Sequence, residues 1–86
     1  MQIIWKYELE ITDDQILAMP ENARILSVAK QGEKLCLWAA VYPEAEKEKR
    51  HIRIHGTGHP VENPHMDFIG TAVIDPFVWH VFEVDR

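Results

Sequence analysis

At 86 residues the chain has room for one domain and one core, and its formal net charge of −5 disfavours broad duplex nucleic-acid binding, which needs a basic face to release counterions. An apolar fraction of 47% and a charged fraction of 27% are those of an ordinary globular protein, and the longest apolar run, Leu35 to Tyr42, is far too short for a spanning helix. The lone cysteine, Cys36, excludes an intrachain disulfide; inside Leu35-Cys36-Leu37-Trp38 it acts as a small hydrophobe and suits a reducing compartment.

In chain order, Ile3, Trp5, Tyr7, Leu9 and Ile11 alternate with Gln2, Lys6, Glu8 and Glu10, a period of two that predicts a half-buried strand. The opening residues Met1 to Lys6 lack the basic segment and apolar stretch of a signal peptide, so the expectation is a soluble protein that is not exported. Thr12-Asp13-Asp14 supplies a turn. Gln15 to Met19 is too short before Pro20 for a useful helix and reads as a strand. Pro20-Glu21-Asn22 is another turn. Arg24 to Lys30 and Lys34 to Tyr42 then flank Gln31-Gly32-Glu33 as a hairpin, with glycine supplying the positive φ.

The second strand of that hairpin is apolar on both faces: Leu35, Leu37, Ala39 and Val41 on one, Cys36, Trp38, Ala40 and Tyr42 on the other. An antiparallel sheet normally leaves one face polar, so this strand is either central and covered twice or part of a contact between copies. Trp38 and Tyr42 mark that second face as the interface expected of a homo-oligomer. Pro43 to Arg50 reads as a charged, solvated linker. His51 to His55 forms a short strand with Ile52 and Ile54 inward and His51, Arg53 and His55 outward. A loop from Gly56 to Asp67, a strand from Phe68 to Ile74, a turn at Asp75-Pro76 and a last strand from Phe77 to Val84 complete the chain. The prediction is one all-β domain over residues 1–86, a small antiparallel β-sandwich or flattened barrel of six to seven short strands.

Three patterns invite a functional reading. His51, His55 and His59 are each four apart, but on a strand four residues span roughly 13 Å, too far for His51 and His55 to share a metal. His55 with His59 alone is too few ligands, so no metal site and no cofactor is expected. The segment His55-Gly56-Thr57-Gly58-His59, led by Arg53, has two glycines that let backbone N–H groups approach an anion, a threonine hydroxyl and upstream Lys47, Lys49 and Arg50. Arg53, His55, Gly56, Thr57, Gly58 and His59 are therefore the candidate ligand-binding residues, although Glu44, Glu46 and Glu48 cancel much of the basic field. Trp5, Tyr7, Trp38, Phe68, Phe77 and Trp79 sit on alternating strand positions and are best explained by core packing. His80, between Val78 and Phe82 and opposite Trp79, reads as a hydrogen-bonded core histidine. Enzyme signatures are absent: Ser27 is the only serine and lies in no nucleophile turn, and no pair of acids is placed for acid–base work.

The landmarks Leu35-Cys36-Leu37-Trp38-Ala39, Gly56-Thr57-Gly58-His59-Pro60, Phe68-Ile69-Gly70-Thr71 and Trp79-His80-Val81-Phe82-Glu83 resemble a family of small uncharacterised bacteriophage and bacterial proteins, over nearly the whole chain. The resemblance carries no catalytic residues. It implies a phage or prophage accessory protein working in the bacterial cytoplasm. Two functions follow as expectations: a non-catalytic module that sequesters an anionic ligand, such as a nucleotide signal of host defence, or a protein-interaction or structural part, such as an inhibitor of a host enzyme or a virion-associated part. Neither involves a membrane.

Overall fold

The computed structural model describes residues 1–84. Seven strands follow in chain order: β1 (Ile3–Leu9), β2 (Asp14–Pro20), β3 (Arg24–Gln31), β4 (Lys34–Val41), β5 (Lys47–Gly56), β6 (Met66–Ile74) and β7 (Phe77–Val84). They form two antiparallel sheets, β1-β4-β3 and β2-β5-β7-β6. The sheets stack as a sandwich and do not close into a barrel. Among the described residues no helix is long and apolar enough to cross a membrane.

Alternation in each strand delivers one side chain in two to the interior. Leu9, Val28, Leu35, Leu37, Ala39 and Val41 from the smaller sheet meet Met19, Ile52, Ile54, Ala72 and Val81 from the larger one. Full burial of each leucine, isoleucine, valine or methionine among them contributes about 1.5–3 kcal/mol, the main favourable term for a domain this small. The sheets come closest where β3 passes β6. A Cβ on Gly70 would lie 2.9 Å from Val28 Cγ2, so the absence of a side chain there sets the approach. Each of these two strands also carries an irregularity, between Ile25 and Ser27 in β3 and between Phe68 and Gly70 in β6.

The doubly apolar strand is β4, and it is central in its sheet. On its outer face Cys36 is 1% and Ala40 4% exposed within the single chain, so the chain screens them itself. The register shows how. Lys6 lies beside Trp38 on one flank and Gln31 beside Lys34 on the other, so the 2.6 Å bond from Lys6 Nζ to Gln31 Oε1 runs diagonally over the Cys36 position. The covering of this strand therefore does not call for a second copy.

Four expectations need correction. Residues 47–50 are not linker: they begin β5, and Arg50 is 4% exposed, on the inward side. Ile11 lies beyond β1 and is exposed. Phe68 and Phe77, placed in the core by alternation, are 59% and 57% exposed. Phe68 is on the outer face of its sheet opposite Phe82, and Phe77 stands at the start of β7. His80 is half-buried and hydrogen-bonded, but on the outer face and not in the core.

Candidate binding site

β5 positions the site. It runs between β2 and β7, and its alternation sends Arg50, Ile52 and Ile54 inward and His51, Arg53 and His55 outward. The register then fixes the neighbours of each outward residue. Arg53 lies between Asp14 of β2 and Phe82 of β7, with Phe68 beyond; His55 lies beside His80, with Thr71 beyond. Arg53 Nη1 donates to Asp14 Oδ2 at 3.1 Å, and the other oxygen of Asp14 is bonded to His51 Nε2. The bond to His51 holds the Asp14 carboxyl below its ordinary pKa; desolvation opposes it, and the Arg53 and His51 charges add to the lowering. The His55 and Phe82 rings meet edge to face, with centroids 5.4 Å apart at 88°.

An outward strand residue is normally wet, yet His55 is only 7% exposed. The segment after β5 folds back beside it. Gly56 and His59 close a tight turn: His59 N–H donates to Gly56 O at 3.0 Å, and Gly56 N–H donates to His59 Nδ1 at 3.1 Å. The glycines are there for different reasons. A Cβ on Gly56 would come within 2.9 Å of the His59 ring, whereas Gly58 has a φ of +91°, in the left-handed region. Thr57 Oγ1 is bonded to His80 Nε2 at 2.9 Å, and His80 Nδ1 to Thr71 Oγ1 at 3.0 Å.

Two adjoining hollows open beneath this segment. One of about 140 Å³ is lined by Arg53, His55, Pro60, Glu62, Asn63 and Met66. The other, of about 300 Å³, shares Arg53, His55, Pro60 and Glu62 and adds Asp13 and His59. Arg53 Nε and His55 Nε2 are buried and have no hydrogen-bond partner among the described residues. Buried donors and acceptors are nearly always met, so two unmet nitrogens at one hollow call for a partner from outside the described side chains, a water or a bound molecule.

The residues singled out from sequence thus divide. Arg53, His55 and His59 line the hollows. Gly56, Thr57 and Gly58 shape the turn, and two of its amides, those of Gly56 and His59, are engaged internally and not open to an anion. Trp38 is half-buried on the outer face of β4, and Tyr42, just past that strand, is 43% exposed. Asp13, Glu62, Asn63 and Met66 were missed, because the sequence shows them only as turn and loop composition. No group of three or more His, Cys, Asp or Glu side chains suited to a metal ion gathers among the described residues.

Arg50, three residues away, faces the other side of the sheet. Its Nη2 donates to Glu83 Oε1 at 2.9 Å, its Nε to the second Glu83 oxygen, and its Nη1 to Ala23 O at 2.8 Å. These bonds to Glu83 outweigh burial and push its pKa up. The hollow above it, about 400 Å³ at the β3–β6 seam, has this matched pair at its wall.

Fold and site together define a small two-sheet antiparallel β-sandwich with a histidine–arginine hollow beside one loop. The chain belongs to the family described as a domain of unknown function, DUF7352, whose model matches residues 1–86. No curated protein and no solved structure matches it.

Proposed function

We propose that this protein is a non-catalytic binding module that holds a small anionic ligand against Arg53 and His55. The observation that carries the reading is the pair of buried nitrogens, Arg53 Nε and His55 Nε2, with no partner among the described residues. An unmet buried polar group costs about 1–3 kcal/mol, and an anionic oxygen seated on these two removes that cost with charge-assisted hydrogen bonds. Asp13 and Glu62 on the same walls repel every anion, so only one in direct contact with those nitrogens is held. Together with the net charge of −5, they favour one compact group, phosphate or carboxylate, over a polyanionic strand.

The resemblance to small phage and bacterial proteins supports an accessory role in the bacterial cytoplasm, sequestering an anionic molecule of the host. Isothermal titration of the purified chain with inorganic phosphate, small carboxylates and a nucleotide panel tests this. Binding that Arg53→Ala and His55→Ala each abolish is expected; an absence of heat with every anion removes the reading.

A second reading, contact with a protein or with another copy, is favoured by Trp38 and Tyr42 lying half-open on or beside the outer side of β4. Native mass spectrometry gives the copy number directly, and a strictly monomeric chain that recovers no stoichiometric partner from host lysate counts against it.

A further inference from the structure

On the far side of His59 lies a hollow of different chemistry. It has a volume of about 370 Å³, and Thr57, His59, Pro76, Phe77 and Trp79 are among its walls. Phe77 is 57% exposed, and its ring stacks on Trp79 with centroids 5.4 Å apart and planes at 29°. An exposed ring held by a second ring behind it offers a pre-oriented flat apolar face. His59 lines both this hollow and the one containing Arg53 and His55. Because its Nδ1 accepts the Gly56 N–H, the neutral ring carries its proton on Nε2, so a donor stands between the aromatic and the cationic parts.

We infer that the two hollows receive the two ends of one ligand, and that its class is a nucleotide. The anionic group lies against Arg53 and His55, the base lies on the Phe77–Trp79 face, and the hydroxyl-bearing sugar passes His59. This rests on the anion-binding reading above and adds the ring and its platform. Inorganic anions do not need an aromatic wall. A simple aromatic acid with no hydroxyl leaves the His59 donor unused.

The test is a titration of the full chain with adenosine 5′-monophosphate and its guanosine counterpart, with adenosine, and with ribose 5-phosphate. The nucleotides are expected to bind best, with the base-free and phosphate-free compounds each weaker by about tenfold or more. Phe77→Ala should weaken nucleotide binding by about tenfold while leaving ribose 5-phosphate unaffected. Phe77→Leu, which keeps an apolar side chain, serves if the alanine variant does not fold. Chemical-shift changes at the Trp79 indole N–H should accompany nucleotide binding but not ribose 5-phosphate binding. If ribose 5-phosphate binds as tightly as the nucleotides, or the Phe77 variants bind nucleotide like the parent chain, the inference is overturned while the anion site stands. If no phosphate compound binds, the inference is overturned, and the anion reading falls with it when the small carboxylates also give no heat.

Discussion

Arg50 and Arg53 lie on one strand, three residues apart, and project from opposite faces of it. Both touch carboxylates. Arg50 is sealed between the sheets, with Glu83 gripping it through two bonds and the Ala23 carbonyl taking a third. Arg53 stands on the outer face, holds Asp14 through one nitrogen and leaves Nε buried without a partner among the described residues. The same side chain is thus a structural tie in one setting and an open donor in the other. What separates them is that each Arg50 nitrogen has a partner while Arg53 Nε has none among the described residues, not charge or sequence neighbourhood.

The largest effect expected from breaking this contrast is at Arg50. Arg50→Leu strands the Glu83 carboxylate, which is 13% exposed, and should cost about 3–5 kcal/mol in urea unfolding. Replacing Glu83 by leucine as well should recover much of that loss, because the uncompensated charge goes with it. Next is Gly56→Ala, whose new methyl would meet the His59 ring at 2.9 Å. It should cost about 1–3 kcal/mol and weaken ligand binding, and His59→Ala in the same chain should relieve the stability loss. Arg53→Ala should cost under about 1 kcal/mol, since its partner Asp14 is half-exposed, yet abolish binding. A loss of stability at Arg53 equal to that at Arg50 would end the distinction between them.

The smallest effect is that of pH. The folded state lowers the Asp14 pKa, so its stabilising contribution is present above the ordinary carboxylate value of about 4 and is lost as pH falls through the lower folded value. Asp14→Asn should flatten that acid limb of an unfolding-midpoint profile slightly.

The strands were legible where hydropathy alternates. Phe77 to Val84 and the hairpin around Gly32 came directly from period two and a positive-φ glycine, and Gln15 to Met19 from the lack of room for a helix. The run Lys47 to Arg50 reads as linker because every residue in it is charged, so it has no hydropathy contrast. Its strand character comes from pairing with β2, and the burial of Arg50 from Glu83, 33 residues away. Alternation also assigns a face without saying how far the opposite sheet reaches, which is why it puts Phe77 in the core although the ring is exposed. In the candidate site, Arg53, His55 and His59 were visible as residue types. That His55 is buried and shares its hollow with Glu62 depends on a loop folding back, and no local pattern encodes that return.

The Lys6–Gln31 bond across β4 has a practical consequence. It lies over the only sulfhydryl, which is 1% exposed although it belongs to an outer sheet face. Alkylating reagents should therefore report on the opening of that strap, reacting slowly with the native chain and quickly with Lys6→Ala. The chain thereby carries its own chemical probe for the parting of β1 and β3 around β4, independent of anything bound on the opposite sheet.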